Sequence, residues 1–243
     1  MNLIIDVGNT QIKVAVFQED ELQYTIRFDA SQFHLKLKEI FQKFPEIQFS
    51  ILSSVKNVEE NWGKTLQQKT KFLLLSGTTK VPFQNHYKTP RTLGVDRMAL
   101  VAAASKKFSG KNTLIIDAGT CITYDILNRK NEYLGGVISP GLQMRTKAMH
   151  QFTDKLPLVE INKPLDFFIG NTTETSLQLG VLKATSLEID GFIEEYKNKF
   201  EDLTVILSGG DTEILSKTVK NSIFAPSNFL LEGLNYILEF NKS

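Results

Sequence analysis

The sequence predicts an α/β fold built from two similar halves, and three observations carry this prediction. Short aliphatic runs typical of buried strands alternate along the chain with longer segments of helical periodicity. The run Leu3–Asn9 recurs as Leu114–Thr120, and each copy is an aliphatic strand that ends in Asp-x-Gly and a small polar residue. The length of 243 residues permits one large domain or two small ones. The repeat favours two, residues 1–112 and 113–243, joined at the polar stretch 109–112.

The first half is predicted to contain three strands followed by alternating helices and strands. After the first copy of the repeat, strands are expected at Ile12–Phe17 and Leu22–Phe28. Apolar residues at helical spacing between Phe33 and Phe44 predict a helix that Pro45 ends. The remaining expected elements are a strand at Phe49–Leu52, a helix at Val58–Lys69, a strand at Phe72–Leu75 and a helix at Leu93–Lys107.

The second half is predicted to open in the same way, with strands at Ile122–Leu127 and Tyr133–Ile138 after the second copy. The later expected elements are helices at Leu142–Phe152 and Thr172–Phe200, a strand at Leu203–Leu207 that enters Ser208–Asp211, and a closing helix at Phe229–Phe240.

The composition excludes several classes of function. Lys and Arg total 28 and Asp and Glu total 27, a net charge of +1 that argues against binding nucleic acid or membranes by bulk electrostatics. A single cysteine, Cys121, excludes an intrachain disulfide and a cysteine-based zinc cluster. The three histidines lie far apart, no apolar run approaches the ~20 residues of a membrane span, and the first residues do not resemble a signal peptide. We expect a cytoplasmic protein.

The two Asp-x-Gly turns carry residue types suited to phosphate binding. Glycine lets a turn present backbone N–H groups to an anion, and the adjacent carboxylate can hold a hydrated cation. The alternative is a simple hairpin turn in which the aspartate caps its own backbone. Two turns in matching contexts favour phosphate binding. Further donors for the phosphates are Thr10, Thr120 or Thr123, and Lys13.

Three motifs resemble those of the actin, Hsp70 and sugar-kinase ATPase superfamily. They are the two phosphate motifs, Asp6–Lys13 and Asp117–Thr120, and an adenosine motif at Ser208–Asp211. The resemblance implies duplicated ribonuclease-H-like domains with mixed sheets flanked by helices, and an ATP cleft between them. Neither a Walker motif nor G-x-G-x-x-G occurs in the sequence.

Within that superfamily the chain is most similar to the type III pantothenate kinases. Cys121-Ile122 departs from the family's smaller or hydroxylated residues but leaves Thr120 intact. The blocks that carry the resemblance are Asp6–Lys13, Gly94–Arg97, Asp117–Thr120, Leu134–Gly141 and Gly170–Thr173.

The resemblance implies a role for each matching residue. Asp96 would be the catalytic base facing the pantothenate hydroxyl, and Arg97 would bind the substrate. Without the other motifs, the simpler interpretation of the pair would be an acid that stabilises the helix N-terminus and its solvated partner. Thr172 would reach pantothenate from the neighbouring subunit of a homodimer, and it also suits a helix N-cap. The implied substrate-binding residues are Tyr87, Gly94, Val95, Asp96, Arg97 and Thr172.

The resemblance also implies how ATP and cations bind. Mg²⁺ would accompany ATP near Asp6, and a monovalent cation, K⁺ or NH₄⁺, would bind at Asp117. The implied ATP-binding residues are Asp6, Val7, Gly8, Asn9, Thr10, Gln11, Ile12, Lys13, Thr120, Gly209 and Gly210.

The expected reaction is ATP-dependent phosphorylation of pantothenate to 4'-phosphopantothenate, the first step of coenzyme A biosynthesis. Two alternatives stay open: another small-molecule kinase of the superfamily, and a non-catalytic regulator that senses a ligand. Regulators of this fold often carry a DNA-binding helix-turn-helix before the first strand. Here that strand is predicted to begin at Asn2.

Overall fold

The chain divides into two compact units, each formed by a mixed sheet with helices packed against it. The computed structural model describes residues 1–56, 60–220 and 223–242. The first unit comprises residues 1–107 and 228–243, and the second comprises residues 108–227.

The first unit has a five-stranded sheet in the order β3-β2-β1-β4-β5. The central strand β1 pairs antiparallel with β2 and parallel with β4, which brings the ends of three strands together at one edge. The elements are β1 Asn2–Val7, β2 Ile12–Gln18, β3 Glu21–Phe28, α1 Phe33–Lys43, β4 Phe49–Ser54, α2 Glu60–Gln67, β5 Lys71–Leu74, β6 Gln84–Asn85, α3 Val95–Lys107 and, from the end of the chain, α7 Phe229–Phe240.

Helix α1 shows why the apolar spacing of the sequence produces a packed helix. Phe33, Leu37 and Ile40 lie on one face and are buried against the sheet. The Phe33 ring stacks on Trp62, with 4.0 Å between the ring centroids. The helix ends where the Phe44 N–H donates to the Ile40 carbonyl, directly before Pro45.

The second unit repeats the strand arrangement of the first. Its strands follow the order β11-β10-β7-β8-β9, with β7 antiparallel to β8 and parallel to β10. The elements are β7 Thr113–Ala118, β8 Cys121–Leu127, β9 Glu132–Pro140, α4 Leu142–Gln151, α5 Thr173–Lys197, β10 Thr204–Ser208, α6 Thr212–Leu215 and β11 Ile223–Phe224.

The predicted division of the chain at residue 112 would place the closing helix α7 in the second unit. In the structure, α7 packs with the first unit instead. Gly233 lies so close to α3 that a Cβ there would come within 1.8 Å of the Ala99 carbonyl oxygen. The Asn2 side-chain amide of β1 donates to Asn235 Oδ1 at 2.7 Å. The hydrophobic face of a helix shows that it is buried, but not which sheet it covers.

The predicted strands and helices are otherwise confirmed to within a few residues. The start of the helix predicted at Val58–Lys69 lies outside the described residues, and α2 ends at Gln67. Within the described ranges, the helices are too short or too polar to cross a bilayer.

Candidate active site

The β1–β2 hairpin presents an exposed loop of residues 8–11. The last paired residues are Val7 and Ile12, and the Gly8 N–H donates to the Gln11 carbonyl at 3.2 Å. A Cβ at position 8 would lie 3.1 Å from that same carbonyl oxygen, so glycine keeps the turn tight. Asn9 and Thr10 are exposed, where a ligand can reach them. The tip of the hairpin is therefore a tight turn with polar side chains open to solvent.

The buried carboxylate of Asp6 lies in a row of cross-strand neighbours beneath this loop. Lys13 of β2 and Ser53 of β4 are its partners on the two adjacent strands. Burial raises the pKa of Asp6 from 3.8 to about 6; the Lys13 ammonium lowers the pKa and the Asp96 carboxylate raises it. The buried Ser53 hydroxyl has no well-aligned hydrogen-bond partner among the described residues, yet it is near enough to lower this pKa.

The start of α3 places Asp96 on the same unit as Asp6, close enough for their charges to interact. Asp96 Oδ1 accepts the Arg97 N–H at 2.8 Å and lies over Gly94, where an added Cβ would come within 2.5 Å of that oxygen. The Met98 N–H donates to the Gly94 carbonyl at 3.1 Å, so the helix begins there. The helix dipole favours negative charge at this end.

Arg97 and Tyr87 form the second pair at this site. Arg97 is buried, and its guanidinium carbon lies 5.5 Å from the centre of the Tyr87 ring. This distance is within the range of a cation–π contact between the guanidinium and the ring. A guanidinium fixed in this way suits a carboxylate ligand, because it can donate two parallel charged hydrogen bonds.

The β7–β8 hairpin of the second unit is one residue shorter than the first. Its last paired residues are Ala118 and Ile122, and the Gly119 N–H donates to the Cys121 carbonyl at 3.0 Å. Thr120 lies at the exposed tip. Asp117 precedes this turn as Asp6 precedes the first.

Two further loops close on the second hairpin through glycines. A Cβ on Gly141 would come within 2.0 Å of the Gly119 carbonyl oxygen, and the Gly141 N–H donates to the Thr120 carbonyl at 3.1 Å. Gly209 has φ +103°, and a Cβ there would come within 2.2 Å of the Ala118 carbonyl oxygen. Both positions therefore require glycine. The motif at Ser208–Asp211 thus lies against the end of β7.

An ion pair that we did not predict from the sequence supports the loop containing Gly141. Arg145 Nη2 lies 2.6 Å from Glu188 Oε2, while Arg145 Nε donates to the Pro140 carbonyl at 2.7 Å. Ser139 Oγ donates to Glu188 Oε1 at 2.6 Å. Burial alone would raise the pKa of Glu188, but the hydrogen bonds from Ser139 and Arg145 and the Arg145 charge lower it below its ordinary value. The partners are distant in sequence, so no local motif signals them.

Thr172 is the N-cap of α5. Its hydroxyl accepts the Thr175 N–H at 3.1 Å, and its own N–H donates to Thr175 Oγ1 at 3.0 Å. Thr172 also lines a pocket of about 680 Å³, together with the neighbouring residues Gly170–Thr173 and, from α4, Met149. The capping role is therefore present, and the side chain is also exposed.

The carboxylates of the site suit a cation, such as Mg²⁺, whose remaining ligands come from a bound nucleotide. Among the described residues there is no group of three or more His, Cys, Asp or Glu side chains that could hold a metal ion alone. Mg²⁺ in phosphate-transfer sites commonly takes one or two carboxylates and completes its shell with phosphates and water. The interacting pair Asp6 and Asp96 fits that requirement, because a cation there would offset their mutual repulsion.

Comparison with known proteins identifies the family. The model of the type III pantothenate kinase family matches residues 2–195. The chain belongs to this family. A type III pantothenate kinase of Christiangramia forsetii is 52% identical over 243 residues, which cover 100% of both chains.

The solved structures that resemble the chain confirm its fold. One is a ROK hexokinase from Thermus thermophilus, with a TM-score of 0.52, 11% identity and coverage of 99% of both chains. Another, from Campylobacter jejuni, is described as a Baf family transcriptional activator; it has a TM-score of 0.61, 22% identity and coverage of 98% of both chains. At these identities the likeness shows the fold alone, which is that of the actin, Hsp70 and sugar-kinase superfamily.

The structure places the predicted site residues other than Thr172 in two groups. In the first unit it brings the hairpin 6–13 and the carboxylate of Asp96 together, and it places Tyr87 in cation–π contact with Arg97. In the second unit it brings the loop with Gly209 and Gly210 to the hairpin that carries Asp117 and Thr120. Sequence reasoning missed Ser53, and it did not place Ser208 of the adenosine motif beside Asp117, because only the pairing of β4 and β10 brings these serines next to the two aspartates.

Proposed function

We propose that this family member transfers the terminal phosphate of ATP to the primary hydroxyl of pantothenate through the residues described above. The observation that carries the assignment is the arrangement at the start of α3. There, the carboxylate of Asp96 interacts with buried Asp6, and the next residue, Arg97, is held on the Tyr87 ring. A carboxylate that can hold the Mg²⁺ of ATP, a carboxylate that can face the hydroxyl and a guanidinium that can bind an anion therefore lie on one unit.

Asp96 orients the pantothenate hydroxyl and accepts its proton late in the transfer. Phosphoryl transfer has a loose transition state, so the protein contributes mainly positioning and neutralisation of charge. Arg97 binds the substrate carboxylate, and Tyr87 keeps the guanidinium in place. Gly94 and Val95 form the backbone of the substrate site beside Asp96. Gly94 has no side chain, so the Asp96 carboxylate can lie directly over the backbone there.

The ATP phosphates bind at the exposed hairpin loops. In the first unit, the phosphates contact the loop from Gly8 to Gln11 and the ammonium of Lys13. The strand ends that hold this loop are Asp6-Val7 and Ile12. Thr120 contributes its hydroxyl from the tip of the second hairpin. Gly209 and Gly210 accept the adenosine, since they present main chain without side chains. Mg²⁺ bound with ATP near Asp6 supplies charge neutralisation for the phosphates.

Asp117 holds a monovalent cation, K⁺ or NH₄⁺. A single carboxylate matches a single positive charge. The proposed compartment is the cytoplasm, where ATP, Mg²⁺ and K⁺ are abundant.

The active assembly is a homodimer in which Thr172 reaches the substrate of the partner subunit. Phe168 and Ile169, just before Thr172, are 82% and 77% exposed. Neighbouring large apolar side chains at such exposure are typical of an association surface. Covering them with a second copy places Thr172 and the adjacent pocket at the contact.

A kinase assay with labelled ATP and a panel of acceptors tests this function. We expect phosphate transfer to pantothenate and none to sugars, glycerol or acetate. Transfer to one of the other acceptors alone would assign the chain a different substrate. Nucleotide binding without transfer to any acceptor would support a sensor instead. Light scattering of the same sample measures the dimer.

A further inference from the structure

Strand pairing reveals that the duplication extends to the residues around the two aspartates. In the first unit a row crosses four adjacent strands at the level of Asp6. Its members, which we call the first row, are Ser53, Asp6, Lys13 and Arg27. In the second unit the equivalent row lies at the level of Asp117. Its members, the second row, are Ser208, Asp117, Thr123 and Ile138.

The two rows differ in charge at the positions that follow the aspartate. The first row has one carboxylate and two basic side chains, Lys13 and Arg27. At the corresponding positions the second row has Thr123 and Ile138, so its four members include a carboxylate and no basic side chain. Directly paired residues on neighbouring strands share a face, with Cβ atoms about 4.5–5.5 Å apart. Position 123 therefore lies beside Asp117 as Lys13 lies beside Asp6.

The Thr123 hydroxyl is the second observation that points to a ligand. The residue is only 8% exposed, and its Oγ1 has no hydrogen-bond partner among the described residues. A buried hydroxyl without a partner is costly, so such groups in native proteins mark a water, an ion or a functional role. A hydroxyl oxygen beside a carboxylate is a donor set that a hard cation accepts, and the single negative charge suits a monovalent one.

We propose that Thr123 supplies an oxygen ligand to the monovalent cation at Asp117, and that the residue at position 123 decides whether the enzyme needs this cation. The proposal rests on the cation site of the proposed function. The first row carries its cation in the chain, as the Lys13 ammonium. The second row takes its cation from solution, and Thr123 offers it a hydroxyl oxygen at the position that Lys13 occupies in the first row.

Substitutions at position 123 test the proposal in the full-length protein. Melting temperature is measured with Mg²⁺ and a non-hydrolysable ATP analogue, in KCl and in choline chloride at equal ionic strength, and the kinase rate is measured against K⁺ concentration. For the wild type we expect K⁺ to raise the melting temperature. Thr123→Val keeps the shape and removes the oxygen, so we expect its half-saturating K⁺ concentration to rise at least about 10-fold, the effect of about 1.4 kcal/mol of binding.

Three further variants separate a ligand role from a packing role. Thr123→Ser restores the hydroxyl, and we expect K⁺ affinity to return to within about 2-fold of the wild type, a difference of under about 0.5 kcal/mol. Thr113→Val, the matched control, removes another buried and unpartnered hydroxyl at the opposite end of β7. It should leave the K⁺ response unchanged. Thr123→Lys introduces the residue type that the first row has at this position. We expect the melting temperature and the kinase rate of this variant to be independent of K⁺ concentration.

The outcomes distinguish this proposal from the proposed function. A K⁺ response of Thr123→Val equal to that of the wild type overturns the role of Thr123, even if pantothenate is phosphorylated. A wild type that responds to K⁺ in neither measurement overturns the cation site itself. A K⁺-dependent melting temperature that Thr123→Val loses supports the ligand role, even if pantothenate were not the acceptor.

Discussion

Asp96 is the residue on which the proposed chemistry depends most directly. Its Oδ1 accepts the Arg97 N–H, and the amide oxygen of an asparagine can accept the same bond. Asp96→Asn should therefore fold normally and reduce kcat by roughly 10²–10⁴-fold, the usual contribution of a positioned base. Steady-state kinetics and the melting temperature give both values. Glu194→Gln, an exposed carboxylate change on α5, is the control, and near-normal turnover of Asp96→Asn would remove Asp96 from this role.

Asp6 should make the folded protein more stable in mild acid than at neutral pH. Burial holds the pKa of Asp6 near 6 in the folded state, whereas the unfolded chain releases this proton near pH 4. Protonation thus favours the folded state. This contribution is complete below about pH 4 and is lost as pH rises to about 6, by at most about 3 kcal/mol.

Chemical denaturation of the wild type and Asp6→Asn from pH 4 to 8 measures this effect. The difference between the two free energies of unfolding should move in favour of Asp6→Asn as pH rises through 4–6, because the variant has no proton to lose. Parallel pH profiles of the two proteins would show that the pKa of Asp6 is not raised in the folded state. The variant should also lose kinase activity, since Asp6 lies beneath the phosphate loop.

At the scale of elements, α3 carries Asp96, the proposed catalytic residue, and α7 packs closely against α3. A Cβ on Gly233 of α7 would overlap the Ala99 carbonyl oxygen of α3 at 1.8 Å. We expect Gly233→Ala to force the helices apart and lower the free energy of unfolding by at least about 2 kcal/mol. Gly191→Ala in α5, where an added Cβ meets nothing within 4 Å, should be neutral or stabilising by up to about 1 kcal/mol. Denaturant titration compares them, and equal stability of the two variants would contradict this packing.

The sequence predicted the local elements well because their signals are local. The spacing of Phe33, Leu37 and Ile40 indicates one buried helix face, and the structure buries it. The two Asp-x-Gly hairpins follow from their residues in the same way. Pairing between distant strands has no such signal, so Ser53 beside Asp6 and the Arg145–Glu188 ion pair emerged only from the structure.

At the scale of the whole molecule, the repeat predicted two units but not the membership of the last helix. Chain order assigned Phe229–Phe240 to the second half, whereas contacts with α3 and β1 group it with the first unit. The two units also differ in the residue that pairs with the aspartate of each repeat copy. The first unit carries Lys13 beside its aspartate, and the second carries Thr123.

Identifying the product formed from ATP and pantothenate tests the central claim most directly. Pantothenate has one primary and one secondary hydroxyl, so the ³¹P NMR signal of the product reports which one is phosphorylated. Coupling of the phosphorus to two protons of a CH₂ group is the result that we predict. A product phosphorylated on the secondary hydroxyl, or no phosphorylated pantothenate from a folded and ATP-binding protein, would contradict it.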